Sequence, residues 1–275
     1  MIWSIPMKPK RLPQCFLFCL CLLCCGCAPK TIYEYGVFLG INGRQMDRLA
    51  AYHIVVIEPA EFSAAQIKNL HEKGKIVYGY LNIGALEEYR PYYDQFKNIT
   101  LGVYENWPDE RWINTAEPQW QAFIVDELGR QYAEMGLDGL FLDNTDVYGL
   151  YPTEEIFQGL CQILKGLKAY GLSLIINGGD LFVSRNIDEK TALSLFDGIN
   201  QESVFTNIQF SNKSYGEQGK EETLYFQNYL AKAKNCGLSV FLLEYDADPE
   251  LVKKIDAYCH KNGFLWYNAK SLALR

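Results

Sequence analysis

The chain has 275 residues, 49% of them hydrophobic and 21% charged, with a formal net charge of -7. This length suffices for one large domain with a full core, and the acidic balance disfavours nucleic acid and other polyanions as partners while suiting a neutral or cationic one. Nine cysteines are present, but only Cys161, Cys236 and Cys259 lie beyond residue 27, and no CxxC pair is among them. A zinc ribbon and a disulfide scaffold are therefore both disfavoured, and the three thiols read as small core residues.

The N-terminus reads as an address. Lys8, Lys10 and Arg11 precede an apolar run, Cys15 to Cys25, that is too short to span a bilayer and has signal-peptide form, with Met7 as an alternative start. The run ends LLCCGC, which resembles a bacterial lipobox. Cys27 is the expected lipidation site, and Cys25, with Leu22 three residues before it, is its rival. Residues 1–27 then form a signal peptide and anchor, and 28–275 a single domain, exported and tethered by lipid in the cell envelope as a monomer. Removing Lys8, Lys10 and Arg11 with the leader takes the net charge from -7 to -10.

Beyond the leader, short apolar runs recur at 36–40, 54–58, 75–84, 136–144, 172–179, 196–203, 238–245 and 263–269. They are near-continuous rather than alternating, as parallel strands covered on both faces should be. Amphipathic stretches separate them. The segment 63–74 opens on Ser63 as N-cap and stops at Gly74, and 118–136 ends at Gly136. Pro152 opens 152–171 and Gly171 closes it, while 223–237 and 249–263 end at Gly237 and Gly263. Eight strands in this strand-and-helix rhythm predict a (β/α)8 barrel of the TIM type, in preference to an open doubly wound sheet. No GxGxxG, P-loop or GxSxG opens a helix.

Sites in such barrels lie at the C-terminal ends of the strands. Those ends here carry Glu58, Asn82 to Arg90, Asp143 to Asp146, Asn177 to Asp180, Asn200 to Glu202, Glu244 to Asp246 and Asn268. Carboxylates and amides pair with hydroxyls, and aromatic faces pack on sugar rings, so this composition suits a carbohydrate. Tyr80, Tyr89, Tyr92, Tyr93, Trp107, Trp112 and Tyr148 are candidate flat surfaces. Glycosidic cleavage needs two carboxyls flanking one bond. Asp143 ends the fourth strand and Glu202 the sixth, near neighbours around a barrel mouth. A helix cap for Asp143 and a solvated loop carboxylate for Glu202 are the structural alternatives.

Six segments in order resemble the endo-α-1,4-polygalactosaminidase family of glycoside hydrolases, family 114, from about Tyr35 to Leu272. They are YLNIGALEEYR (80–90), RWINT (111–115), GLDGLFLDNTDVY (136–148), IINGGD (175–180), GINQES (198–203) and LEY (243–245). The resemblance implies a retaining hydrolase without a cofactor, with Asp143 as nucleophile and Glu202 as acid/base, acting on α-1,4-linked, galactosamine-rich, cationic polysaccharide. It also implies that Glu58, Tyr80, Glu87, Arg90, Trp112, Asp146, Asn177 and Tyr245 line the glycosyl subsites. Glu87 and Arg90 equally suit a local salt bridge. The chain departs from the family pattern at Ala85, Glu58, Asn114 and Gly178-Gly179, so the exact sugar stays open.

Two rival readings exist. A metal hydrolase would draw on Asp143, Asn144 and Asp146, but His53, His71 and His260 are scattered and form no ligand pair. A surface lipoprotein that binds glycans without cutting them has the same leader and the same polar strand ends.

Overall fold

The computed structural model describes residues 33–275; the leader and Cys27 lie outside the described residues. Eight parallel strands form one sheet: β1 (Tyr33–Phe38), β2 (Tyr52–Ile57), β3 (Ile76–Asn82), β4 (Gly139–Asp143), β5 (Ser173–Asn177), β6 (Gly198–Glu202), β7 (Ser239–Tyr245) and β8 (Leu265–Ala269). Their order in the sheet is their order in the chain. β8 returns to lie against β1, and just past both strands Gly40 N–H donates to Leu274 C=O at 3.0 Å. The fold is the TIM-type barrel expected, with each strand at its predicted place; β1 and β2 begin two to three residues earlier than expected, and the other six are shorter than their apolar runs.

Parity along the strands separates two apolar layers. Leu140 and Leu142 of β4, Leu174 and Ile176 of β5, Ile199 of β6 and Leu242 of β7 face the helices. Phe141, Ile175, Phe241, Leu243 and Tyr245 face the barrel interior with Tyr35, Val37, Val56 and Tyr80. The same parity carries Asp143, Asn177 and Glu202 inward at the upper rim. It turns Glu244 outward, where its carboxylate accepts from the Phe205 and Thr206 N–H groups and, at 2.6 Å, from the Thr206 hydroxyl.

The helices obey their end signals. Ser63 and Gln66 form a capping box at the start of Ala64–Glu72. Thr153, one residue after Pro152, caps Glu154–Lys168, and Asp248 caps Pro249–Asn262. Gly237 and Gly263 close their helices with φ of 104° and 66°. The 118–136 stretch is not uniform: the α-helix Pro118–Ala122 passes through a π-helical turn, Phe123–Gly129, into Arg130–Glu134. A helix at Asp180–Asp188 and a short one at Ala192–Leu195 add to those expected from periodicity.

Two insertions rise above the rim. After β3, Ala85–Glu87, Thr100–Tyr104 and Trp107–Ile113 make a three-stranded antiparallel sheet with Trp107–Ile113 in the middle. After β6, Thr206–Gln209 and Ser214–Glu217 make a hairpin. Trp107 and Phe210, one from each insertion, meet edge to face with ring centroids 6.2 Å apart.

Candidate active site

A cleft of about 870 Å³ opens at the C-terminal rim between these insertions. Its floor is set by residues that end strands. Asp143, Asn177, Glu202 and Tyr245 are the last residues of β4, β5, β6 and β7. Each is followed by a left-handed residue: Asn144 (φ 68°), Gly178 (φ 67°), Ser203 (φ 55°) and Asp246 (φ 47°). Three of these four are not glycine, although the left-handed region disfavours side chains. The sharp turn sends the chain out of the barrel at once and leaves the preceding side chain standing in the mouth. The loops crowd closely there. A Cβ on Gly84 would lie 1.7 Å from the Asn144 carbonyl oxygen, so only glycine fits.

One amide joins the two central carboxylates. Asn177 Nδ2 donates to Asp143 Oδ1 at 2.9 Å and to Glu202 Oε1 at 2.8 Å. Those oxygens are therefore no farther apart than the sum of the two lengths. An ionised Asp143 only accepts hydrogen bonds, which turns the Asn177 NH₂ toward it and the Asn177 carbonyl oxygen away. That oxygen accepts from Asn200 Nδ2 at 2.7 Å, and Asn200 Oδ1 accepts from the Tyr35 hydroxyl at 3.1 Å. A buried relay from β1 through β6 to β5 thus fixes the amide.

The environments of the two carboxyls differ. Asp143 also accepts from the Tyr80 hydroxyl at 2.9 Å and the Asn144 N–H at 3.0 Å. Burial raises its pKa, and these three donors oppose the rise. Glu202 accepts from the Tyr245 hydroxyl at 2.6 Å besides Asn177. Burial first, and then the charge of Asp143, push Glu202 up to about 7. Asp146 accepts from the Gly179 N–H at 3.1 Å and is pushed up to about 6, mainly by burial.

The Tyr245 bond can be tested through pH. Its O–H favours the charged form of Glu202 and so holds that pKa down. In Tyr245→Phe the pKa rises, and the alkaline limb of the kcat/KM profile should move up by roughly one pH unit. An unmoved limb would show that Glu202 is not the titrating group.

On the opposite wall, Arg90 spans two carboxylates. Its Nε donates to Glu87 Oε2 at 2.6 Å, and an Nη donates to Glu58 Oε2 at 3.0 Å. Both Glu87 and Arg90 line the cleft, so the salt bridge forms at the cleft wall itself. Among the described residues the lining holds seven carboxyl side chains, Glu58, Glu61, Glu87, Glu110, Asp143, Asp146 and Glu202, against the guanidinium of Arg90.

Comparison with known proteins agrees with this architecture. The pattern of glycoside-hydrolase family GH114 matches residues 28–271. The chain belongs to glycoside-hydrolase family GH114. A Deinococcus radiodurans protein is 24% identical over 263 residues, 87% of this chain and 81% of that one. Among solved structures, the glycoside hydrolase domain of PelA from Pseudomonas aeruginosa has a TM-score of 0.74 at 19% identity, covering 88% of this chain and 95% of that one. Aspergillus fumigatus Ega3, solved in complex with galactosamine, has a TM-score of 0.67 at 15% identity, covering 90% and 93%.

In this GH114 cleft the structure gathers Asp143, Glu202, Glu58, Tyr80, Glu87, Arg90, Asp146, Asn177 and Tyr245. Trp112 stands apart from them. It is 5% exposed, in the core, and the Tyr104 ring stacks on it at 4.1 Å. Tyr104 is the ring that lines the cleft. Trp112 is therefore a support beneath a cleft residue rather than a lining residue: it shares its strand face with Glu110, and the Tyr104 ring covers it. Tyr104 and Glu110 were absent from the sequence candidates. The alternating run TLGVYENWPDERWI, with a turn at its centre, is the hairpin signal that marks them. Of the departures from the family pattern, Glu58 and Gly178 line the cleft, whereas Ala85 is buried and Asn114 bonds Glu117 at the foot of a helix.

Proposed function

We propose that the protein is an exported, lipid-anchored, retaining endo-glycosidase that cleaves α-1,4-linked, galactosamine-rich polysaccharide. The observation that carries the mechanism is the single Asn177 amide donating to both carboxylates. The upper bound it sets on the Asp143 Oδ1 to Glu202 Oε1 distance lies below the about 6.5 Å at which inverting pairs begin, which supports the shorter retaining spacing. Asp143 attacks the anomeric carbon while Glu202, held protonated near neutrality, gives its proton to the departing glycosidic oxygen. Glu202, now a carboxylate, takes a proton from water; the water oxygen attacks the same carbon, and the bond to Asp143 breaks.

The substrate class draws support from charge. Even with Glu202 and Glu110 largely protonated near neutrality, five further acidic side chains face the guanidinium of Arg90, a balance that attracts ammonium groups. Ega3 is seen with galactosamine, and that sugar carries the matching charge. The cleft volume of about 870 Å³ has room for several sugar units rather than one terminal unit, which suits endo cleavage. Export and anchoring at Cys27 rest on the leader sequence.

The deciding experiment incubates the full chain with partly de-N-acetylated α-1,4-galactosamine polymer. Shortened oligosaccharides, with the α configuration in the first-formed products, are expected by mass and proton resonance. Polymer left intact sinks the assignment, and β products sink the retaining step. In the same preparations Cys27→Ser should move the protein from the membrane fraction to the soluble one. Persistent membrane attachment would pass the anchor to Cys25.

A further inference from the structure

We propose that Glu110 receives the ammonium group of the substrate and thereby discriminates a free amine from an N-acetyl group. The inference rests on the galactosamine reading above and names the residue that enforces it. Glu110 belongs to the insertion rather than the barrel. It lies in the central strand Trp107–Ile113 with Glu87 as its cross-strand partner, and it lines the cleft.

Most acids of the cleft already have strong partners. Arg90 serves Glu58 and Glu87, and Tyr89 adds its hydroxyl to Glu87 at 2.9 Å. Asp143 and Glu202 are held by Tyr80, Asn177 and Tyr245, and Asp146 by the Gly179 N–H. Glu61 is exposed and solvated. Among the described residues the Glu110 carboxyl has one long contact, 3.4 Å from Asn82 Nδ2. Asn82 cannot swing closer without losing the Ala85 N–H, which donates to its Oδ1 at 2.8 Å.

The charges around Glu110 are of the wrong sign for a carboxylate. Glu87 faces it from the paired strand and Asp143 from β4, with Tyr80 and Tyr104 as neutral neighbours. Arg90 stands behind Glu87 and is committed to it. Burial, then Glu87 and Asp143, push Glu110 up to about 8. Like charges directly opposite on a sheet are destabilising, so the pair Glu87 and Glu110 calls for a cation. A ligand ammonium supplies it, doing for Glu110 what Arg90 does for Glu58 and Glu87. An N-acetyl group brings no charge and places a methyl beside a half-buried acid.

Calorimetric titration of the full chain with galactosamine and with N-acetylgalactosamine tests this. The wild type should prefer the free amine on the order of 10- to 100-fold, and Glu110→Gln should lose that preference. Near pH 7 the wild type should release a proton as the amine binds, seen as a heat that varies with buffer ionisation enthalpy, and Glu110→Gln should not. Preference retained in Glu110→Gln, or equal loss of both sugars, overturns the proposal, as does a wild type that binds no galactosamine. Galactosamine bound with polymer uncut sinks the hydrolase reading alone and leaves Glu110 assigned.

Discussion

Asp143→Asn should lower kcat by at least about 10⁴-fold while leaving substrate binding nearly intact. The amide keeps the shape of the carboxylate. Its oxygen still accepts from Asn177 and the Asn144 N–H, and its NH₂ donates to the Tyr80 hydroxyl, which rotates to accept. What disappears is the negative charge that attacks the anomeric carbon. No change of leaving group restores a missing nucleophile, so activated aryl glycosides should fail as completely as polymer. Substantial turnover of either substrate would remove Asp143 from the chemistry.

Glu202→Gln should behave differently, and the contrast is diagnostic. Turnover of polymer should fall by roughly 10²- to 10⁴-fold because the glycosidic oxygen departs without a proton. An aryl leaving group of low pKa needs no proton, so its departure should be almost unaffected. The second step lacks its base, and the glycosyl-enzyme should accumulate, with the mass of one glycosyl unit on the peptide containing Asp143. Absence of that adduct would contradict the retaining route.

The same variant reports the cost of holding Glu202 protonated. Its carboxyl is raised in the folded state from 4.5 to about 7. A raised acid contributes stability that is fully present below about 4.5 and is lost as pH rises through about 7. Glutamine carries no such loss. Glu202→Gln should therefore match the wild type at pH 4 and exceed it by on the order of 1–2 kcal/mol at pH 8, a Tm gain of several degrees. Equal melting temperatures at both pH values would mean that Glu202 titrates normally.

Much of the fold was legible from local pattern. Eight apolar runs, with five amphipathic stretches between them that close on glycine, specify parallel strands in chain order, and the strands formed at those places. Strand parity then decides which rim residues enter the mouth. Asp143 shares a face with Phe141, and Glu202 shares one with Asn200, because alternate residues share a face. The same rule, applied to the run SVFLLEY, sends Tyr245 inward and Glu244 outward, although adjacency alone made them equal candidates.

Chain order and parity thus determined the barrel and the faces on which Asp143, Asn177, Glu202 and Tyr245 stand. Only the tertiary structure decided that one Asn177 amide reaches both carboxylates, that Tyr35, 165 residues from Asn200, orients it, and that Glu110 hangs over the site. The reason is one of range. A repeating dihedral pattern is written into neighbouring residues, whereas a hydrogen-bond relay across three strands, or the direction in which an insertion folds, depends on closure of the whole barrel. Asp143 was visible at the end of its strand from the start, but the amide that pairs it with Glu202 exists only once β4, β5 and β6 lie side by side.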